Sequence, residues 1–189
     1  MRIIGGSLRG RDLGTVPAGV RPTADRVRES IFASLGDLMG LRVLDLFAGT
    51  GAMGLEAYSR GAGEVVFVER SRPVLQSLRQ RLERLGLAGE SRIRVIPGEA
   101  ARALRRLARE EACFDLVFVD PPYAETRREL LLETLFGGRL LSPDAVVVVE
   151  GPKRHPLAAV PGTRGLDLRR YGETLVTRLA PMGVPAIEE

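Results

Sequence analysis

The chain has 189 residues, a length that suits one domain with a sizeable core and excludes two large domains. Hydrophobic residues make up 44% and charged residues 28%, a balance typical of a folded globular protein and not of a disordered one. The single cysteine, Cys113, excludes an intramolecular disulfide and a multi-cysteine metal site, and we predict no metal centre. Because His155 is the only histidine and lies in a Pro-flanked polar stretch, any catalytic chemistry is expected to work without a histidine base.

The N-terminal 40 residues are basic and precede the core. Residues 1–30 carry six arginines against three acids, so this segment holds +3 of the net charge of +4. Residues 1–16 are predicted to form a small glycine-linked hairpin. Residues 21–38 are predicted to form a helix whose N-cap is Thr23 or Asp25. Neither a signal peptide nor a membrane span is predicted, so a cytoplasmic location is expected.

From residue 41 the sequence alternates short β-rich apolar runs with helical patterns, which predicts a parallel sheet covered by helices. The predicted strands are 41–47, 64–69, 92–97, 114–120 and 145–150. The predicted helices lie near 51–60, 72–86, 99–110 and 125–136. Residues 166–171 and 174–180 suit an antiparallel hairpin around Gly172 and Glu173. The fold class is therefore α/β, a Rossmann-like, doubly wound, mostly parallel seven-stranded sheet that ends in an antiparallel hairpin. We divide the chain into a basic extension (1–20), a main domain (21–183) and a tail (184–189).

A glycine-rich turn follows the first predicted strand. Gly49 to Gly54 fits the G-x-G-x-x-G fingerprint of dinucleotide-binding proteins, which by itself is a weak signal. Glu69 ends the next strand, where a carboxylate can bind the two hydroxyls of a ribose. Both NAD and S-adenosylmethionine carry such a ribose, so these residues leave the cofactor open.

Asp45 distinguishes the two cofactors. It lies on the first strand, four residues before Gly49, where its carboxylate would repel a pyrophosphate but could bind the ammonium group of a methionine tail. We therefore predict S-adenosylmethionine, bound by a group of residues that includes the glycines and the end of the third strand. The predicted cofactor-binding residues are Asp45, Phe47, Gly49, Gly51, Glu69, Glu99 and Ala100, with Glu99 facing the adenine or serving only as a helix N-cap.

The fourth strand ends in Asp120-Pro121-Pro122-Tyr123, which carries the predicted chemistry. The prolines force the chain to leave the strand extended, and neither proline nitrogen carries a hydrogen. The Asp120 carboxylate and the Pro121 carbonyl could accept both N–H groups of an exocyclic amine on a nucleobase, and Tyr123 could stack on the base. Asp120, Pro121 and Tyr123 are thus the candidate catalytic residues for methyl transfer to an amine. The same motif also suits a loop whose aspartate caps the following helix.

These motifs carry a family resemblance. Asp120 to Tyr123, together with Asp45 to Gly51, resembles the amino-methyltransferases that act on DNA and RNA. Arg2-Ile-Ile-Gly-Gly, Arg9-Gly-Arg11, Arg21 to Glu29 and Val119 to Tyr123 are similar, in that order, to the RsmD family of bacterial guanine-N2 methyltransferases of small-subunit (16S) ribosomal RNA.

The resemblance implies methylation of one guanine N2 in a hairpin loop near the ribosomal P site, with 16S rRNA in an assembled or nearly assembled small subunit as the partner. It also implies that the segment around Arg21 and Thr23 borders the cofactor and that the basic arm binds rRNA. The predicted rRNA-binding residues are Arg2, Arg9, Arg11, Arg21, Arg26 and Arg28.

Two alternatives stay open on the residues alone. One is an adenine-N6 or cytosine-N4 amino-methyltransferase, because Asp-Pro-Pro-Tyr presents acceptors to any exocyclic amine. The other is a non-catalytic RNA-binding assembly factor that kept the fold. A monomer is expected because no long apolar surface stretch is evident in the sequence.

Overall fold

The computed structural model describes residues 1–15, 25–121 and 128–182. Arg21, Thr23, Tyr123, the tail and the predicted domain boundaries at residues 20 and 183 lie outside these ranges. The described helices are α1 (Asp25–Ala33), α2 (Ala52–Ser59), α3 (Arg72–Arg84), α4 (Ala100–Arg109) and α5 (Arg128–Phe136). The strands are β1 (Arg42–Asp45), β2 (Glu64–Glu69), β3 (Ile93–Pro97), β4 (Phe114–Val119), β5 (Leu141–Pro152), β6 (Thr163–Tyr171) and β7 (Thr174–Pro181).

The seven strands form one sheet in the order β3-β2-β1-β4-β5-β7-β6. Strands β1 to β5 pair in parallel, whereas β7 is antiparallel to both β5 and β6. The predicted fold class, including the antiparallel C-terminal hairpin, is confirmed. The order reverses between β1 and β4, and in open sheets of this kind ligands bind beyond the carboxyl ends of the strands at that reversal.

Helices cover both faces of the sheet because the parallel strands are apolar on both sides. On one face α1, α2 and α3 pack residues such as Phe32, Leu55 and Leu78 against the sheet. On the other face α4 and α5 contribute residues such as Leu104 and Leu132. In the described ranges no helix is long and apolar enough to span a bilayer.

Several predicted elements have other bounds in the structure, and the largest differences are at the end of α1 and the start of β5. Helix α1 ends at Ala33, earlier than the predicted residue 38, and Gly36 then adopts a left-handed conformation with φ 74° that ends the helical path. Strand β5 begins at Leu141 and not at residue 145, because Leu141 pairs with Phe114 ahead of a register shift between Phe114 and Leu116. Pro143 is tolerated there because the ladder is already interrupted.

The first 15 residues reverse direction as a hairpin, although the ladder is reduced to one antiparallel bridge between Arg2 and Asp12. The main-chain N–H groups of Ile3 and Leu13 donate to the carbonyls of Arg11 (3.1 Å) and Met1 (2.9 Å). The side chains of Ile3 and Leu13 are buried in the same core as α1, α2 and α3. The N-terminal hairpin therefore folds onto the main domain and shares its core.

Candidate active site

The glycine-rich loop between β1 and α2 is shaped by close packing. Gly51 has φ 76°, and a Cβ there would lie 2.5 Å from Leu78 Cδ1. A Cβ at Gly54 would lie 2.3 Å from Phe67 Cε1, which brings α2 against β2. Gly54 thus serves helix–strand packing, and the predicted cofactor-binding glycines, Gly49 (φ 52°) and Gly51, form the turn itself.

Asp45 ends β1 with its carboxylate directed at the start of α2. The side chain is buried, and its Oδ2 accepts a hydrogen bond from the Gly54 N–H at 3.1 Å. Burial raises the pKa of Asp45 to about 7, although the Gly54 hydrogen bond opposes the rise and the charges of Asp120 and Glu69 add to it. A bound cation would relieve this penalty, which fits the predicted role of Asp45 toward an ammonium group.

Glu69 ends β2, and its carboxylate accepts hydrogen bonds from the backbone of the glycine-rich loop and of the segment after β2. Its Oε2 accepts a hydrogen bond from the Gly49 N–H (3.0 Å), and its Oε1 accepts one from the Ser71 N–H (2.7 Å). Each carboxylate oxygen has a second lone pair that can accept a further hydrogen bond. The side chain is therefore oriented by the backbone and can still accept hydroxyl hydrogens of a ribose.

Asp120 and Pro121 follow β4 directly beside β1. Asp45 is paired with Phe118 in the register of these two strands, and Asp120 lies two residues further along on the same face. Asp120 is partly exposed and Pro121 is buried. The structure thus brings the predicted catalytic residue Asp120 and the predicted cofactor-binding residue Asp45 close together at the carboxyl ends of β4 and β1. Tyr123, the third predicted catalytic residue, lies outside the described residues.

The remaining predicted cofactor residues lie on flanking segments. Phe47 is partly buried and packs against the core of the α4 and α5 face. Glu99 occupies the N-cap position of α4, as the N-cap interpretation predicts, and its exposed side chain makes no capping hydrogen bond. Ala100 is buried as the first residue of α4. Gly98, just before them, donates its N–H to the Glu69 carbonyl at 2.9 Å, which joins the ends of β2 and β3.

Most described arginines of the predicted rRNA-binding set are exposed. Arg2, Arg9 and Arg11 lie on the N-terminal hairpin, and Arg26 lies in the first turn of α1. Their guanidinium groups are therefore accessible to phosphates. Arg21 belongs to the same predicted set and lies outside the described residues.

Arg28 corrects that prediction. Its side chain is 0% exposed, donates to the Arg2 carbonyl and pairs with Asp25 Oδ1 at 3.1 Å. Its Nε also lies 3.7 Å from Glu56 Oε2. A guanidinium enclosed in this way cannot reach a phosphate, so Arg28 anchors the hairpin and α1 and does not bind RNA.

Glu56, a fully buried carboxylate on α2, was not predicted from the sequence. It accepts hydrogen bonds from the N–H groups of Ile4 and Gly5, both at 2.8 Å, and forms an ion pair with Arg60 at 2.8 Å. A sequence signal existed, because Glu56 is the only charged residue of a helix that reads AMGLEAYS and is buried on all sides. A lone charge in such a helix requires buried partners.

A second carboxylate that was not predicted is Glu150. It is buried near the end of β5 and follows Val149, the register partner of Val119, so it lies beside Asp120 at the same edge of the sheet. The run AVVVVE resembles EVVFVE, the strand that ends in Glu69. The carboxyl edge is therefore more acidic than the sequence motifs alone indicate.

The site has the electrostatic character expected for a cationic ligand. Glu69 and Asp120 lie close enough to Asp45 for their charges to affect it, and the three residues lie at the ends of the adjacent strands β2, β4 and β1, where the strand order reverses. S-adenosylmethionine carries a sulfonium and an ammonium, and a cluster of carboxylates attracts both. The residues present therefore fit this cofactor.

Comparison with known proteins agrees with the geometry. Residues 1–179 match a protein family described as Conserved hypothetical protein 95. The chain is 38% identical over 184 residues to Ribosomal RNA small subunit methyltransferase D of Escherichia coli (strain K12), which covers 95% of this chain and 88% of that relative. It is 40% identical over 152 residues to YlbH of Bacillus subtilis (strain 168), covering 79% and 82% of the two chains. The solved structure of yhhF from Escherichia coli has a TM-score of 0.84 and 34% identity, covering 97% of this chain and 99% of that one. The chain belongs to the RsmD family and has the fold of the class I methyltransferases.

Proposed function

We propose that the protein transfers a methyl group from S-adenosylmethionine to the exocyclic N2 of one guanine in small-subunit rRNA. Methylation of rRNA with this cofactor is the coarser part of the statement, and family membership and fold support it directly. The choice of guanine N2 rests on the resemblance to the RsmD family. The observation that carries the chemistry is the position of Asp120 at the end of β4, beside Asp45 on β1.

Different residues of the chain would bind different parts of the cofactor. Asp45 would hold the ammonium group, Glu69 the ribose hydroxyls and the glycine-rich loop the body of the cofactor, with Phe47, Glu99 and Ala100 around the adenine. When bound, S-adenosylmethionine supplies an electrophilic methyl group on a positively charged sulfur. Thr23 completes the proposed set on the basis of the resemblance.

Asp120 and Pro121 would activate the acceptor. The nitrogen lone pair of an exocyclic amine is delocalised into the base, so the amine is a poor nucleophile. If the Asp120 carboxylate and the Pro121 carbonyl each accept one N–H, the amine is held with its lone pair free for attack. The nitrogen loses one proton during or after alkylation, to Asp120 or to water. Tyr123 would stack on the base.

Arg2, Arg9, Arg11 and Arg26 would bind rRNA phosphates, which arginine can contact through two N–H groups at once. Arg21 is proposed to act with them. The proposed partner is 16S rRNA in the small subunit or its assembly intermediate, met in the cytoplasm by a monomer of this chain.

The test is methyl transfer from a labelled cofactor to three acceptors offered separately: unmodified small ribosomal subunits, naked rRNA and duplex DNA. We expect label in the subunits or the rRNA, recovered as N2-methylguanosine after digestion to nucleosides. N6-methyladenine or N4-methylcytosine as the labelled product would contradict the guanine assignment. Tight RNA binding with no label in any acceptor would favour the assembly-factor alternative.

A further inference from the structure

Arg81 on α3 connects the N-terminal hairpin to the glycine-rich loop. Its side chain is fully buried, and all of its hydrogen bonds in the described structure go to main-chain carbonyls. Nη1 donates to the Thr50 carbonyl (2.7 Å), Nη2 donates to the Thr15 carbonyl (2.9 Å), and Nε donates to the Leu13 carbonyl. One planar group therefore holds carbonyls from two segments that are far apart in the sequence.

The burial of this charge is costly. Among the residues that the structure describes, no carboxylate forms an ion pair with Arg81. Burial lowers the pKa of Arg81, the nearby Arg84 lowers it further, and Asp12 partly opposes the change. An apolar side chain of similar length would fill the same space without that penalty. The arrangement is thus better explained by what the guanidinium holds than by packing alone.

The two segments held by Arg81 belong to regions that, in the proposed function, would bind different ligands: the cofactor and rRNA. Thr50 lies between Gly49 and Gly51 in the loop that would contact the cofactor. Leu13 and Thr15 follow the turn of the hairpin that exposes Arg9 and Arg11. Arg81 therefore links the glycine-rich loop itself directly to the hairpin, in addition to the contacts that α2 makes with the hairpin through Glu56.

We propose that Arg81 is a positioning residue that couples cofactor binding to rRNA binding, an inference that rests on the proposed function. The guanidinium is planar and its donors diverge at fixed angles, so moving one bound carbonyl displaces the others. A cofactor that immobilises the loop also immobilises Thr50 and, through Arg81, the chain at Leu13 and Thr15. Ordering the hairpin in this way removes part of the entropy cost of its contact with rRNA, and the effect is reciprocal.

Amide hydrogen exchange of the hairpin tests this without any RNA. The amides of Ile3, Gly10 and Leu13 donate hydrogen bonds within the hairpin and report on its opening. In the unaltered protein, we expect saturating S-adenosylhomocysteine to slow their exchange about fivefold or more. In Arg81→Lys the ligand should bind but the slowing should be lost, because a lysine ammonium cannot span three diverging carbonyls.

Arg79→Lys is the matched control, since Arg79 lies on the same helix with an exposed side chain. It should keep the full protection. Arg81→Met is a second variant that leaves no charge buried and should behave as Arg81→Lys does. Unchanged hairpin exchange on ligand binding, or full protection in both Arg81 variants, would overturn the coupling. Failure of the unaltered protein to bind the ligand at all would instead contradict the proposed function and, with it, the coupling.

The reciprocal measurement uses affinity. We expect the Kd of S-adenosylhomocysteine to fall about fivefold or more when unmodified small ribosomal subunits are present, and this ratio to approach one in the Arg81 variants. A purely structural role would weaken both affinities but leave the ratio unchanged. An unchanged ratio in the variants therefore counts against the proposal.

Discussion

Negative charge is buried in two regions: the edge of the sheet formed by the carboxyl ends of the strands, and the anchor of the N-terminal hairpin, which consists of Glu56, Arg28 and Arg60. The neighbouring charges are negative in the first region and positive in the second. At the edge, Asp45 is buried with the charges of Glu69 and Asp120 nearby, and its pKa rises to about 7. At the anchor, Glu56 is buried between Arg28 and Arg60 and accepts two main-chain hydrogen bonds. At the anchor the opposite charges are therefore supplied by the chain itself, whereas at the edge the chain brings acidic groups together, an arrangement that suits a cationic ligand.

This difference separates structural charges from functional ones. Removing one partner of a buried ion pair leaves the other charge buried without it, so the loss is expected to appear in unfolding experiments. A buried charge that lies near like charges, at the reversal of strand order where ligands bind, is expected to interact with a ligand. Its loss is therefore expected to appear in binding or catalysis. Substitutions at the two regions should therefore affect different measurements.

The largest expected effect is on methyl transfer by Asp120→Ala. Loss of the carboxylate removes an acceptor for the amine, so kcat should fall about a thousandfold. The Kd of the cofactor should stay within about tenfold, because Asp45 and Glu69 remain. Single-turnover transfer to small subunits and cofactor titration measure the two effects.

Asp115→Ala is the matched control for that substitution. Asp115 lies near the start of β4, at the opposite end from Asp120, where it pairs with Arg42 at 3.2 Å, and its loss should leave transfer near normal. Near-normal turnover of Asp120→Ala would contradict the catalytic role given to Asp120.

At the anchor, Glu56→Ala should chiefly reduce stability. Without the carboxylate, the fully buried Arg28 loses an ion-pair partner, which costs about 3–5 kcal/mol of the free energy of unfolding. Urea unfolding followed by circular dichroism measures this loss. Glu133→Ala, on the exposed side of α5, should change the unfolding free energy little. A loss below about 1 kcal/mol for Glu56→Ala would show that the anchor is not completed by this charge.

The exposed arginines of the hairpin should affect rRNA binding and leave stability unchanged. Replacing Arg9 and Arg11 by glutamine should weaken binding to small subunits about tenfold and reduce the slope of log K against log salt by roughly 0.7–0.9 for each phosphate that is no longer neutralised. Glutamine at the exposed Arg102 and Arg105 removes the same charge from α4, on the opposite face of the sheet, and should change neither quantity. If the salt slope of the hairpin variant stays at its original value, the hairpin arginines are solvated and do not contact phosphate.

The smallest expected effect is the pH dependence of cofactor binding. A cation binds the ionised Asp45, whose pKa is about 7 in the free protein, so affinity should fall roughly fivefold as pH drops from 7 to 6. The window stays below the pKa of the ligand's own amino group, about 7.7–8.0 for an α-amine. Calorimetric titration with S-adenosylhomocysteine measures the change. In Asp45→Asn this dependence should disappear, and a variant that retained it would assign the titration to another group.

The parallel core was predictable because each strand is a short apolar run bounded by turn residues, and β2 has the predicted bounds, Glu64–Glu69. The end of α1 was not predicted, because Val27 to Leu35 keep a helical pattern and only Gly36 interrupts it. The extended start of β5 was missed because its Ser-Pro-Asp stretch is atypical of a strand and depends on pairing with β4.

The sequence by itself determined the fold class and the candidate chemistry, because apolar periodicity and short motifs such as Asp-Pro-Pro-Tyr are local patterns that follow from residue order. Only the tertiary structure decided which charges are exposed. Arg9 and Arg28 are indistinguishable as arginines of one basic segment, yet one is exposed and the other is fully buried against Glu56. Burial and ion pairing depend on contacts between α1, α2 and the hairpin, and these contacts join residues too far apart for any local pattern to record.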